Sequence, residues 1–416
     1  MRRIVIHCEQ NSTLVALMDE QRLLEIFSEK QEMRQMVGNI YKGRVVNVLP
    51  GMQAAFIDIH CGKNAFLYID DLLPQNPDKE LKIKPNIAQL LHEGDELLVQ
   101  VMKDPVGTKG AKVTTHFSLP GRWVVYMPEA AYVGVSRKIE SEPERERLKS
   151  IGEKLLLPGE GLIFRTVAEG EADEALAYDL AYLRDLWQSV RQKSKDAKPG
   201  DCVYREPDML PRIVRDVLTD DVDEIIIDSK AKHRELRRLL MDISPIFADR
   251  LHLYGGNEPI CDTYGVSEQL RKLFNPKIWL KSGGYIVVDH TEALTVIDVN
   301  TGKYTGSVDL EETALRTNLE AAEEIALLLR VKDVGGIVIV DFIDMEKEEH
   351  REEIARRFAE VAKRDRTKTL VVGWTRLGLL EITRKKVRNS INAFLPEKCP
   401  VCGGTGMAPQ PDKSQP

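Results

Sequence analysis

EALTVIDVNTG (292–302) and GGIVIVDFIDM (335–345) are the stretches that decide the fold. Each is a short apolar run rich in β-branched residues, and each runs into an aspartate, Asp298 in the first and Asp341 in the second. Between them, residues 309–329 read as one long helix, opened by Asp309 and Glu312 at the spacing of a capping box. Strand, helix and buried strand in succession indicate an α/β sheet. In open sheets of that kind, ligands gather outside the carboxyl ends of the strands. Period-two geometry puts Asn300 on the face of Asp298 if the strand continues. Two strand-end carboxylates there suit a hard cation such as Mg²⁺, which keeps several waters and takes only one or two carboxylates. An aspartate after a strand is also an ordinary turn residue or helix cap, and Asp344, just before a helix read over 347–364, fits the cap role.

Around these strands the alternation continues. Strands at 285–289 and 294–298 share a tight turn, and a strand at 369–372 is followed by a basic helix. Upstream, 211–275 reads helix, strand, helix, strand. Residues 117–210 are mixed, with strands at 122–126 and 161–166 and helices at 144–156 and 171–195. Leu176, Leu180, Leu183 and Trp187 share one face of the second helix. Short strands with glycine turns over 38–116 read as a small barrel. The first 35 residues give two strands, 3–8 and 13–17, joined at a polar turn over 9–12. A lone hairpin cannot form a core, so this one must join a sheet built elsewhere, and 211–275 is the segment that can supply it. The tail 407–416 is polar and proline-rich and reads as disordered.

Four other features bear on chemistry. CPVCGGTG (399–406) places Cys399 and Cys402 at zinc-knuckle spacing, but structural zinc wants four ligands and the chain has no second such pair. A second copy of the chain is the simplest completion, giving a homodimer through a shared Zn²⁺. The stretch KRDRTKTLVVGWTRLGLLEITRKKVR (363–388) carries nine Lys and Arg against two acids, a footprint for phosphates or a solvated helix face. In the barrel, Tyr41, Lys42, Arg44, Phe56 and Phe66 combine aromatics with cations, as folds that stack single-stranded bases do, although phenylalanines are more often core. Arg165 and Thr166 end the strand GLIFRT and offer a guanidinium and a hydroxyl to a terminal phosphate.

Composition sets the limits. The 416 residues carry a formal net charge of −7, which argues against a uniformly basic nucleic-acid coat but allows a local groove. Six cysteines are too sparse for a disulfide framework, so a reducing cytoplasm is expected. No apolar run is long enough for a membrane anchor, and the start MRRIVIHCEQ turns polar too soon for a secretory leader. GxSxG and Walker A patterns are absent, which leaves serine hydrolases and P-loop ATPases without support.

In this order the pieces resemble the ribonuclease E/G family of bacterial endoribonucleases over nearly all of residues 1–406. The resemblance rests on GNIYKGRVVNVLPGMQAAFIDI (38–59), GTKGAKVTTHFSLPGRWVVYMP (107–128), EALTVIDVNTG, NLEAAEEIALLLRVKDVGGIVIVDFIDM (318–345), RLGLLEITRKKVR (376–388) and CPVCGGTG. It implies an α/β multidomain fold. A ribonuclease H-like domain would be split between 1–35 and 211–275, with an S1 (OB) barrel inserted at 36–116 and a 5′-sensor region at 117–210. A deoxyribonuclease I-like catalytic domain at 276–395 and a zinc link at 396–406 would follow.

The family's site residues carry over as follows. Asp298 and Asp341 match its Mg²⁺ ligands, with Asn300 supporting them. Gly121, Val125, Arg165 and Thr166 match its 5′-monophosphate pocket, and Cys399 and Cys402 its shared zinc. Phe56 and Phe66 match its S1 contacts to RNA, Lys42 is plausible beside them, and Lys109, Arg137 and Lys138 fall at basic RNA-facing positions. The expected activity is Mg²⁺-dependent cleavage of single-stranded RNA to 5′-phosphate and 3′-hydroxyl ends, favouring 5′-monophosphorylated RNA. Ribosomal RNA precursors and mRNA would be the substrates. The sequence ends soon after the knuckle, which looks closer to the family's short form; the family's small dimerisation domain and a degradosome scaffold are not expected within these residues, which suit a natural short form or part of a longer chain alike. The rival expectation is a non-catalytic S1-domain RNA-binding or ribosome-associated factor.

Overall fold

Three N-terminal strands, β1 (Arg2–Cys8), β2 (Ser12–Asp19) and β3 (Arg22–Lys30), form an antiparallel meander. The computed structural model describes residues 1–30, 35–73, 85–105, 109–243, 245–302, 310–386 and 401–402. The expected polar turn between β1 and β2 is closed by the Glu9 amide donating to the Ser12 carbonyl at 2.9 Å. The third strand occupies residues where the sequence reading placed no strand. Its alternation is disguised because Glu25 occupies a buried position, where it accepts from Arg330 Nε at 3.0 Å and Arg366 Nε at 3.1 Å. A charge on the buried face breaks the apolar pattern by which a strand is read.

The chain divides into two units, 33–219 and the remainder, 1–32 with 220–416. In the first, β4 (Ile40–Leu49), β5 (Ala54–Asp58), β6 (Ala65–Tyr68), β7 (Glu96–Lys103) and β8 (Lys112–Thr114) close into a five-stranded barrel, because β4 pairs with both β5 and β7. Inward residues, among them Val45, Ile57, Leu67, Val99 and Val113, fill it. Gly43 lets the strands approach, since a Cβ there would stand 2.4 Å from Ile57 Cγ2.

The same unit continues with β9 (Leu119–Pro120), β10 (Val124–Met127), β11 (Val133–Val135), α1 (Glu142–Leu155), β12 (Gly161–Phe164), α2 (Asp173–Asp196), β13 (Cys202–Tyr204) and α3 (Met209–Asp216). A sheet ordered β11-β12-β10-β9 is covered by the Leu176, Leu180, Leu183, Trp187 stripe of α2, and β13 joins the barrel at β4. Helix α3 groups with this unit, placing the boundary after residue 219 instead of 210. Buried Arg122 holds it there, donating to the carbonyls of Val214 at 2.9 Å and Leu218 at 3.3 Å.

The second unit adds β14 (Val222–Ile227), α4 (Lys230–Ile243), α5 (Pro245–Asp249), β15 (Leu251–Leu253), α6 (Ile260–Thr263) and α7 (Val266–Phe274). Strand β14 pairs in parallel with β1, making a sheet ordered β15-β14-β1-β2-β3 that gives the N-terminal hairpin its partner. Then follow β16 (Lys277–Trp279), β17 (Tyr285–His290), β18 (Leu294–Asn300), α8 (Leu310–Val331), β19 (Gly336–Asp341), α9 (Glu348–Ala362), β20 (Thr369–Trp374) and β21 (Leu379–Arg384). The sheet order is β16-β17-β18-β19-β21-β20, with β18 and β19 parallel at its centre. Its inner face packs on α8 and α9 through Ile297, Val299, Val338, Val340, Ile325 and Phe358.

Residues 379–384, expected to open a basic helix, are instead strand β21. Leu380, Ile382 and Arg384 are buried in alternation, a period of two that the charges obscured. Arg384 donates to Asp365 at 2.8 Å and Asp333 at 2.6 Å, so it belongs to a buried ion cluster and not to a phosphate footprint. Residues 387–388 of the basic stretch lie outside the described residues, as do Asp309 and the tail 407–416. Among the described residues no helix is long and apolar enough to cross a membrane.

Candidate active site

The two strand-end aspartates meet. In the parallel register of β18 and β19, Asp298 stands directly beside Asp341. Their neighbours Ile297, Val299 and Val340 turn inward onto the helices, so both carboxylates leave the opposite, exposed face. Adjacent strands lie about 4.8 Å apart, which brings the two carboxyl groups within reach of one hydrated cation. Asn300, two residues on, shares that face and donates from Nδ2 to Asp298 Oδ2 at 2.7 Å, fixing the carboxylate.

The Asp341 carboxyl is perturbed by its acidic neighbours. Partial burial and the charges of Asp298 and Asp344 push the Asp341 carboxyl above its ordinary range. Among the described residues no Lys, Arg or His forms an ion pair with these three aspartates. Like charges held together without a positive partner raise the affinity for a divalent ion. Among the described residues no group of three or more His, Cys, Asp or Glu is arranged to cage a metal. A pair of carboxylates fits a cation that retains most of its water, as Mg²⁺ does.

Two residues that the sequence reading passed over position this site. Asn318, fully buried on α8, donates to the Ile343 carbonyl at 2.8 Å and accepts from the Ile343 amide at 3.0 Å. It thereby pins the loop that leaves Asp341. Glu311, also on α8, accepts from the amides of Glu346 at 3.1 Å and Lys347 at 3.2 Å and pairs with His350 Nδ1 at 2.8 Å. The N-cap position of α9 is Lys347, and no side chain of its own caps the helix. Glu311 thus fastens the two residues that lead into α9, and Asp344 acts on Asp341 through its charge. A buried Asn in the middle of a long apolar helix is the signal that would have marked Asn318.

In the barrel, Phe56 and Phe66 are cross-strand partners on β5 and β6, with ring centroids 6.0 Å apart at 69°. Both are half-buried, so a ring face stays available, whereas Tyr41 is core. Lys112 stands beside Phe66 in register and pairs with Asp71 at 2.6 Å, a cation next to the aromatics that sequence reasoning missed. Lys42 is half-buried and 3.4 Å from Glu96, and Lys109 is exposed.

Around Arg165 the structure brings most of the expected group together. Arg165 Nη1 donates to the Gly121 carbonyl at 2.6 Å, and its Nη2 pairs with Asp216 at 2.8 Å. Burial alone would raise the Asp216 carboxyl, but Arg215 and Arg165 outweigh it and hold the group below its usual range. Thr166 Oγ1 shares a 2.9 Å hydrogen bond with Ser136 Oγ, and exposed Arg137 and Lys138 follow Ser136 directly. Val125 lies on β10, opposite Ile163 and Pro120. Gly121 is required by contact: a Cβ would stand 2.5 Å from the Asp179 carboxylate. That carboxylate accepts from the amides of Arg122, Trp123 and Val124 at 3.3, 2.8 and 3.1 Å. Cys399 lies outside the described residues, and Cys402 is half-buried.

Comparison with known proteins gives a family for the chain. The model of the ribonuclease E/G family matches residues 118–387. Ribonuclease G of Haemophilus influenzae is 42% identical over 409 residues, covering 97% of this chain and 83% of that protein. Ribonuclease G of Escherichia coli strain K12 is 41% identical over the same length and shares. Ribonuclease E of Haemophilus influenzae is 39% identical over 411 residues, covering 98% of this chain and 44% of that protein.

Proposed function

The chain belongs to the ribonuclease E/G family and is an endoribonuclease, and we propose that it cuts single-stranded RNA with Mg²⁺ held by Asp298 and Asp341. The observation that carries this reading is the register pairing of the two aspartates on the open face of the sheet. When bound, Mg²⁺ supplies a Lewis acid that activates water and offsets charge on the phosphoryl oxygens. The protein's own part is to hold and aim. Asn300 holds the Asp298 carboxylate through its Nδ2, and Asn318 and Glu311 fix the loop beyond Asp341. In-line attack by water breaks the bond between phosphorus and the 3′ oxygen, giving 5′-phosphate and 3′-hydroxyl ends.

The remaining surfaces fit substrate handling. Phe56 and Phe66 stack bases, with Lys42 and Lys109 on the backbone. Arg165 and Thr166, beside Gly121 and Val125, receive a 5′-monophosphate, with Arg137 and Lys138 adding charge. A monophosphate would compete with Asp216 for the Arg165 fork and fits better than a bulkier triphosphate. The domain assignments follow the same reading: ribonuclease H-like for the β15-β14-β1-β2-β3 sheet, S1 for the barrel and deoxyribonuclease I-like for the six-stranded sheet. Cys399 and Cys402 would hold Zn²⁺ with the same pair from a second copy. The enzyme would work in the cytoplasm on ribosomal RNA precursors and mRNA.

The test is cleavage of a 5′-monophosphorylated oligonucleotide by the wild type, Asp298→Asn and Asp341→Asn. Each substitution should lower turnover by at least about a hundredfold while RNA binding persists, and EDTA should abolish wild-type cleavage. Wild-type rates in either variant would overturn the assignment.

A further inference from the structure

The face that carries the carboxylates also carries an exposed aromatic pair. Strands β16, β17 and β18 are antiparallel neighbours in which Trp279 pairs with Tyr285 and Tyr285 pairs with Asn300. The next row on the same face is Lys277, Val287, Asp298 and Asp341. Trp279 and Tyr285 therefore lie one register step from the site, on the side opposite to the helices. Diagonal neighbours on one sheet face are about 7–8 Å apart, so Tyr285 is within a single nucleotide's reach of Asp298.

The local chemistry is that of a base platform. Trp279 is 57% exposed although it is the largest side chain of its strand. Its ring meets Tyr285 edge-on, with centroids 5.4 Å apart at 61°. Lys277 Nζ sits 3.4 Å from the Tyr285 centroid and 4.8 Å from that of Trp279. Gly302, at φ +60°, packs beneath Tyr285, where a Cβ would stand 3.2 Å from Cδ1. The tyrosine is thus held from below and by a cation, while the indole stays open. An exposed indole beside a lysine is a stacking surface with a phosphate contact attached.

We propose that Trp279 and Tyr285, with Lys277, form a subsite that stacks one nucleobase of the RNA next to the scissile phosphodiester and so positions that bond over Asp298 and Asp341. The inference rests on the endonuclease reading above and adds a specificity determinant to it. Trp279 and Tyr285 are positioning residues, and they act on one nucleotide.

An abasic scan tests this. A 5′-monophosphorylated oligonucleotide with one defined cut is made with a single abasic site at each position in turn, and kcat and KM are measured with Mg²⁺. With the wild type, one position adjacent to the cut should raise KM roughly five- to hundredfold, the range of one lost stacking contact. Trp279→Ala should raise KM on intact RNA by a similar factor and should lose all further response at that one position. Trp279→Phe should restore most of the response, and Tyr285→Leu should mimic Trp279→Ala. Melting temperatures should be unchanged in the two Trp279 variants, since the indole is exposed. Wild-type cleavage with no position coupled to Trp279, or an unchanged KM in Trp279→Ala, overturns the subsite alone. Loss of Mg²⁺-dependent cleavage in the wild type overturns the function and the subsite together.

Discussion

A single hydrogen atom at Gly121 separates a formed Arg165 group from a broken one. Its Cα packs against the Asp179 carboxylate, which satisfies three consecutive amides, and its carbonyl anchors Arg165. Gly121→Ala would drive that carboxylate off its donors. Leaving even one buried amide unpaired costs about 1–3 kcal/mol, so urea unfolding should shift by at least that much. If Arg165 receives a 5′-monophosphate as proposed, the preference for that end over a triphosphate should narrow in the same variant, because the carbonyl that aims Arg165 moves with it. An unshifted unfolding midpoint would show that the loop relaxes around the methyl group. At this scale the sequence was informative about placement at strand ends: the meeting of Asp298, Asn300 and Asp341 is readable because an apolar run stops at an acid. Glu311 and Asn318 were not, since their work is done across space on loops some 25 to 36 residues away.

Among elements, β21 shows what charge does to a sequence reading. Arg384 stands at the end of an inward-facing row, Leu380 and Ile382, where an apolar residue would be expected. Asp333 and Asp365, both buried, supply its counter-charges, and the Val334 carbonyl takes a further bond at 3.1 Å. The cluster ties β21 to the turn before β19 and to the segment after α9. Strand β3 is the mirror case, with Glu25 inward and Arg330 and Arg366 as partners. Both strands escaped a periodicity argument for the same reason: their buried polar residue pairs with a group distant in sequence. Arg384→Met should take the guanidinium away from two buried carboxylates, a loss of about 3–5 kcal/mol in chemical denaturation. Adding Asp333→Asn and Asp365→Asn should recover part of it, because neutral amides remove the stranded charge. Recovery would separate electrostatics from packing, and a triple variant no better than Arg384→Met would place the loss in packing alone.

Across the whole molecule, the chain order and the folding units differ. The N-terminal strands find their partner in β14, beyond the inserted unit, which a hairpin with no core of its own foretold. The insertion carries two cores of its own, one inside the barrel and one beneath α2. Its boundaries fall between β3 and β4 and between α3 and β14, where no strand or helix is cut. A segment with its own cores and its ends in connections should fold alone. Residues 35–219 expressed by themselves are therefore expected to unfold in one cooperative transition. The barrel aromatics and the Arg165 group lie in that segment, whereas Asp298 and Asp341 do not. The fragment should accordingly bind single-stranded RNA, lose affinity steeply as salt is raised, and cut nothing. Binding that ignores salt would remove the phosphate-contact reading of Lys42, Lys109, Arg137 and Lys138. Cleavage by the fragment would remove the carboxylate pair from the mechanism.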